Sequence, residues 1–450
     1  MRIPALSGWG NHPRVAADVI TPLSEREVRR EFGVDDFQIS RGLGRSYGDA
    51  ALPAQAGGRV LSSLGLTRML QFDEQTGLLV AEAGVSLAEI IDAFLPRGWF
   101  PPVVPGTKFV TLGGAAAADI HGKNHHVDGT FGAHILWLDL LTPAHGMLRC
   151  SQSEHRDVFL ATIGGMGLTG YICRLALRLR KVTSAWCKVR TIRGRNLSHS
   201  LALLNEHDAL YRHTVAWVDG LAGGPALGRC VLMLGNEAAP SELPPEAAIR
   251  PCQLPANRKF AVPFDFPSWA LAPWSVRLFN AGYYGIASDQ ESLVDFEKFF
   301  FPLDSISRWN RIYGARGFAQ FQAYFPDETA EAGLRACLEA ISKSRQASFL
   351  AVLKRSGAAN DFMLSFLDKG YTLALDLPCD QEALPSLMRE LEAILRRFSG
   401  RIYFAKDAWA TAAAVEAMYP ALPTFQRLKA RLDPHGRVRS RLSERLKLHE

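Results

Sequence analysis

The alternation of apolar and polar positions divides the chain into three textures. Up to about residue 185, short strands feed small-residue loops. Phe37 to Ser40 reads as a strand running into Arg41-Gly42-Leu43-Gly44-Arg45-Ser46-Tyr47-Gly48, and Leu78 to Glu82 reads as a second. Two helices carry start signals. Ser24 with Glu27 fits a capping box for a helix ending before Gly33. Ser86 with Glu89 fits another, followed by the apolar stripe Leu87, Ile90, Ile91, Phe94 and Leu95 and the stop at Pro96 and Gly98. Tyr171, Cys173, Leu175, Leu177 and Leu179 alternate with Ile172, Arg174, Ala176, Arg178 and Arg180, predicting a long strand half exposed at its basic end.

A domain boundary is expected near residue 185. Beyond it, period-2 segments at 229–235, 317–325, 348–354 and 371–377 and helical stretches at 328–343 and 381–398 predict an antiparallel α+β domain over about 186–400. The remainder, 401–450, returns to loop, helix and basic helix, and its periodicity does not say which domain it joins.

Composition narrows the class. A chain of 450 residues exceeds the usual single-core limit, and 48% hydrophobic with 21% charged residues excludes a disordered or fibrous protein. The longest apolar runs are too short for a membrane-spanning helix and MRIPALSGWGNH lacks a signal-peptide core, so a cytoplasmic protein is expected. The seven cysteines are an odd set without a Cys-x-x-Cys pair, which argues for free packing thiols over disulfides or zinc. Residues 421–450 hold eight Lys/Arg against three Asp/Glu. This reads as a solvated face of terminal helices, or as attraction to phosphate or an anionic membrane surface. No nucleic-acid partner is expected.

The chemistry lies in three glycine clusters. Gly42, Gly44 and Gly48 give G-x-G-x-x-x-G, which misses the Rossmann fingerprint and disfavours an NAD site. Such a loop can cradle a pyrophosphate on backbone N–H groups with Arg45 as charge partner, or it is a simple turn. The stretch 105–132, with Gly113-Gly114 and four alanines, is a second small-residue loop. Gly164, Gly165, Gly167 and Gly170 are a third. Together they suggest one dinucleotide laid across a domain.

Several segments then become recognisable. Arg41 to Asp49, Pro105-Gly106-Thr107, Thr111 with Gly113-Gly114, Asp119-Ile120-His121-Gly122-Lys123-Asn124-His125-His126, Gly167-Leu168-Thr169-Gly170, Trp309-Asn310-Arg311, Tyr313-Gly314 and Ala405-Lys406-Asp407 resemble the decaprenylphosphoryl-β-D-ribose 2'-oxidase family in order and spacing. The resemblance spans nearly the whole chain, and the run Asp119 to His126 is its most specific part.

This resemblance implies an α+β, two-domain PCMH-type FAD-binding fold with an antiparallel-sheet substrate domain. Residues 1–185 would form the FAD domain, 186–400 the substrate domain, and 401–450 would return to the FAD domain. It implies that Arg41, Gly42, Leu43, Gly44, Arg45, Ser46, Tyr47, Pro105, Gly106, Thr107, Thr111, Gly113, Gly114, Ala117, Ala118, Ile120, Asn124, Gly167, Gly170 and Tyr403 hold FAD. His121 would stand beside the isoalloxazine. Arg45 occupies the position where relatives with covalent FAD carry histidine, so non-covalent FAD is expected.

The implied activity is hydride transfer from a sugar hydroxyl, such as the 2'-hydroxyl of a polyprenyl-phosphate-linked pentose, to flavin. The competing reading is an alditol or aldonolactone oxidase acting on free sugars with oxygen. Lys406, His121 and Tyr313 are the catalytic candidates, and Lys123, Gln320, Gln322, Lys354 and Thr372 the substrate-binding ones. Phe318, Gln320, Gln322 and Tyr324 share one strand face, which fits a sugar-binding wall or a solvent-exposed face. Thr372, Ala374 and Asp376 share another face. Ala374 replaces a family cysteine and Met166 a family asparagine, and Arg437 to Arg441 also depart from the pattern. A short-chain reductase completing an epimerisation is the implied partner, with peripheral membrane contact.

Overall fold

Nearly every expected strand forms, and each is placed by which of its faces can be buried. The computed structural model describes residues 5–449 except 34–36, 257–259, 268–270, 345, 347–349 and 381. Residues 348, 349 and 381, where the sequence reading starts a strand and a helix, lie outside the described residues.

Before Trp186, a parallel sheet joins Asp18–Ile20, Arg59–Ser62 and Gln38–Arg41. An antiparallel sheet orders Gly146–Ser151, Ile135–Thr142, Tyr171–Arg178, Leu78–Glu82 and Met69–Asp73. The long strand departs from the expected half exposure: Ile172 and Ala176 are as buried as Tyr171, Cys173 and Leu175, and only Arg178 at its end is exposed. A central strand covered on both faces loses the simple in/out alternation.

Both capping signals act. Ser86 and Glu89 close a complete capping box on the helix Leu87–Phe94, worth about 1 kcal/mol. Ser24 caps Glu25–Glu31, but the Glu27 carboxylate accepts from the N–H of Leu23 instead of completing the box. The small-residue stretch after Pro105 is not all loop, since Leu112–Ala117 and His125–Asp128 are short helices, the first capped by Thr111.

An eight-stranded antiparallel sheet begins at Trp186. Its order is Gln290–Asp295, Trp186–Gly194, Cys230–Glu237, His213–Val218, Ala351–Ser356, Gly370–Pro378, Phe318–Pro326 and Arg401–Ile402. Helices Leu197–His207, Ala330–Ser344 and Leu384–Arg397 pack on one another and on this sheet. Phe318 to Phe325 are buried throughout, so the polar face of that strand is not solvent-exposed.

The tail packs on the N-terminal sheets. Gln38 N donates to Arg437 O, and Arg439 N donates to Gln38 O. The Arg445 guanidinium holds Asp49 at 2.8 Å and Asp407 at 2.9 Å. Lys429, Arg431 and Arg439 pair with Asp433, Asp157 and Glu444. Much of the tail's positive charge is thus internally paired, which weakens both its solvent-face and its membrane readings. All seven cysteines are free and six are buried.

Candidate active site

A cavity of about 1070 Å³ lies between the N-terminal glycine loops and the uncovered face of the eight-stranded sheet. That exceeds the usual range for one small ligand, about 300–1,000 Å³, and leaves room for an extended cofactor beside a second molecule.

The loops meet because backbone groups bind each other directly. Gly113 N donates to Ala83 O, Met166 N to Ala117 O, and Tyr47 N to Ala405 O. Arg41, Gly42, Leu43, Gly44, Arg45, Ser46, Tyr47, Pro105, Gly106, Thr107, Thr111, Gly113, Gly114, Ala117, Ala118, Ile120, Gly167, Gly170 and Tyr403 all line the cavity. The two arginines are committed to protein. Arg41 donates to Ser7 O at 2.6 Å and Ala51 O at 3.1 Å. Arg45 donates to Phe109 O at 3.1 Å and lies 4.0 Å over the Trp9 ring.

The other wall is a strand face. Alternate residues Val215 and Trp217, Gln320 and Gln322, and Val352 and Lys354 face the cavity, with Ala374 opposite Gln322 and Val352. After Ile402 the chain leaves the sheet and turns, Lys406 N bonding Tyr403 O. Lys406 is therefore carried by a turn. Its Nζ lies 3.7 Å over the Tyr47 ring.

Three lysines line one cavity, and burial penalises each charge. Lys123 falls to about 7 and Lys354 to about 8, burial being the main cause in both. Lys406 is also lowered by burial and by Lys354, against the opposing pull of Asp376. Lys123 gives its ammonium to Phe299 O. The Lys354 side chain makes no hydrogen bond or ion pair among the described residues.

Three candidates do not line the cavity. Tyr313 lies behind the wall, stacked on Phe318 with centroids 4.2 Å apart, and its hydroxyl donates to Asp376 at 3.3 Å. It positions a carboxylate and does not face the cavity. Asn124 donates to Pro102 O and Asp128, shaping the loop. Thr372 sits between Lys354 and Tyr324 in the sheet register but is sealed from the cavity at 1% exposure. Of the three histidines in the most specific run, only His121 lines the cavity. His125 accepts from Gly357 N and His126 bonds Tyr211 O.

Asp376, on the strand face it shares with Thr372 and Ala374, carries no role from the sequence pattern and is held at the cavity wall by hydrogen bonds. Gln320 donates to its Oδ1 and Tyr313 to its Oδ2. Burial raises its pKa, opposed by Gln320, Lys406 and Tyr313. Its signal in the sequence is a lone carboxylate in the run Tyr371 to Leu377, whose other residues are apolar apart from Thr372. Trp9, Phe109, Asp304 and Ile312 also line the cavity without a local signal, being brought there from separate segments.

Residues 25–151 match the FAD binding domain model, and residues 319–446 match the D-arabinono-1,4-lactone oxidase model. The chain is 34% identical over 453 residues to decaprenylphosphoryl-β-D-ribose oxidase of Mycolicibacterium smegmatis, covering 98% of this chain and 97% of that one. It belongs to the decaprenylphosphoryl-β-D-ribose oxidase family. L-gulonolactone oxidase of Scyliorhinus torazame is 28% identical over 25% of the chain and 26% of its own. The BBE-like 1 structure of Physcomitrella patens superposes with a TM-score of 0.68 at 14% identity, over 96% and 92% of the two chains, and shares the PCMH-type fold.

This member of the oxidase family is an FAD-dependent oxidoreductase, and its cavity fits the cofactor. Gly106 offers open space beside its backbone, where an added Cβ meets nothing within 4 Å. His121 is buried with Nδ1 lacking a partner among the described residues, while its Nε2 lies 2.8 Å from Gln322 Nε2. Burial, with Lys354, His125 and Lys406 close by, pushes the His121 pKa well down, so the ring is neutral near pH 7. A neutral ring can orient a ligand, but it cannot offer a positive charge.

Proposed function

We propose that the enzyme oxidises a hydroxyl of a phosphate-linked sugar, the 2'-hydroxyl of a polyprenyl-phosphate-linked pentose, to a ketone, with FAD held non-covalently. The observation that carries this reading is the convergence of Lys123, Lys354 and Lys406 on one cavity, where the Lys354 ammonium has no protein partner among the described residues. A buried ammonium lacking a counter-ion favours an anionic ligand.

Bound FAD supplies the hydride acceptor. Lys406 accepts the hydroxyl proton at Nζ as the carbonyl forms, and its lowered pKa provides the neutral amine that this requires. Gln320 and Gln322 hold the sugar, and Lys354 holds the phosphate. The keto product passes to a short-chain reductase that completes an epimerisation.

The match of residues 319–446 to the D-arabinono-1,4-lactone oxidase model favours a second reading, oxidation of free sugars or lactones with oxygen. Anaerobic flavin bleaching separates the two. Polyprenyl-phosphate-linked pentoses are expected to bleach the enzyme and free alditols and aldonolactones to leave it yellow, and the reverse pattern establishes the second reading.

Asp376 raises the Lys406 pKa by charge attraction, so removing its charge must lower it. Asp376→Asn removes the charge at nearly the same size and keeps one of the two acceptor oxygens that Gln320 and Tyr313 use. The rising limb of flavin reduction against pH is therefore expected at lower pH in the variant, because less base is needed to free the amine. An unchanged profile, measured by stopped-flow across pH, means that Asp376 does not govern the proton acceptor.

A further inference from the structure

One helix has its apolar residues on the wrong side for a protein in water. Pro273–Ile286 buries only Val276 and Asn280. Its Trp274, Leu278 and Ile286 are 64%, 71% and 85% exposed, and Phe260 and Phe264 nearby in sequence are 69% and 61% exposed. Single exposed apolar side chains are ordinary, but seven large ones from Phe260 to Ile286, counting Phe279 and Tyr283, are not.

The helix is held along one side, where Tyr283 packs on Trp217 with ring centroids 4.7 Å apart and Arg229 lies 4.8 Å over the Tyr284 ring. Val276 packs with Leu221 and Leu271, and Asn280 donates to Asp219 at 2.7 Å. Leu271 also packs against Trp309, Tyr313 and Phe318, linking the helix to the segment around residue 309. Phe260–Ala261 pairs in parallel with Ile306–Ser307. Both exposed elements thus border the same end of the active-site cavity, which Val276, Tyr283, Ile306 and Ser307 line.

We infer that the helix Pro273–Ile286, with Phe260 and Phe264, docks this end of the cavity onto a lipid bilayer surface. Its charge fits that partner, because its one charged residue, Arg277, is exposed and basic. Asp265, the one acid among residues 260–286, lies 3.9 Å from Arg311, and Arg308 at the cavity edge is exposed. Fourteen residues are too short to span a bilayer, and no helix of the described residues is long and apolar enough to cross one. A short helix with aromatic and aliphatic side chains on one side lies in the interface plane, its apolar residues among the acyl chains. The site opens toward the layer that would hold a polyprenyl chain, so the sugar phosphate can enter without the lipid crossing water. That last step rests on the substrate reading above; the docking does not.

The test is sedimentation of the FAD-loaded enzyme with phosphatidylcholine–phosphatidylglycerol vesicles, with no substrate added. Wild type is expected to co-sediment, and the triple variant Trp274→Ser, Leu278→Ser, Ile286→Ser to bind at least about a hundredfold more weakly. None of the three lines the cavity, so the variant retains FAD and its far-UV spectrum, which certifies its fold. Wild type that stays in solution overturns the inference, as does a triple variant that binds like wild type. Self-association abolished by the triple substitution, without vesicle binding by wild type, overturns it in favour of a second copy on this face. Vesicle binding that depends on these residues, in an enzyme that no lipid-linked sugar reduces, upholds the docking and rejects the substrate reading.

Discussion

Lys406→Ala is expected to fold and retain FAD while losing at least roughly a hundredfold in the rate of flavin reduction, the scale of a lost acid/base group. The turn that carries Lys406 is fixed by backbone bonds and by Arg445 on the neighbouring Asp407, none of which needs the lysine side chain. Removing a buried ammonium also removes its desolvation penalty, so no loss of stability is expected from the charge itself. Anaerobic stopped-flow reduction of wild type and variant with a reactive sugar phosphate measures the effect. A variant within about twofold of wild type would behave like one altered at an uninvolved exposed position. Lys406 would then leave the mechanism, with His121 the next group lining the cavity.

Gly106→Val is expected to give a folded protein that loses its flavin. An added Cβ at Gly106 meets no protein atom, so the apo fold accepts the side chain. A cofactor lying against this backbone cannot, and an overlap costing about 1–3 kcal/mol weakens retention by about five- to 150-fold. Gly44 is a poorer test despite its place in the first glycine loop. Its φ is +66°, and an added Cβ would lie 2.2 Å from Arg41 Nη2, so substitution also disturbs the arginine that binds Ser7 and Ala51. The measurement is flavin absorbance per folded protein after gel filtration, against wild type, whose FAD is expected to leave intact on acid treatment. Folded, fully yellow Gly106→Val removes this loop from the cofactor site.

Local patterns were legible wherever one physical rule acts within a few residues. The capping box at Ser86 and Glu89 and the strand Leu78–Glu82 stand where spacing alone puts them. Glycine clustering marked all three loops that line the cavity. Gln320 and Gln322 were legible as a shared face, because strand geometry turns alternate residues the same way.

The tertiary structure decided which of those faces meets what. Spacing cannot tell a solvent-facing strand from one facing a cavity. Here helices cover the sheet on one side while the glycine loops close over the other, and both faces become buried. The same closure drew Asp376 to Lys406, from well-separated positions in the sequence, and set Tyr313 behind the wall as the carboxylate's partner. It also left the apolar side chains of Trp274, Leu278 and Ile286 exposed. A sequence states which side chains dislike water; only the packed chain determines whether protein is there to cover them.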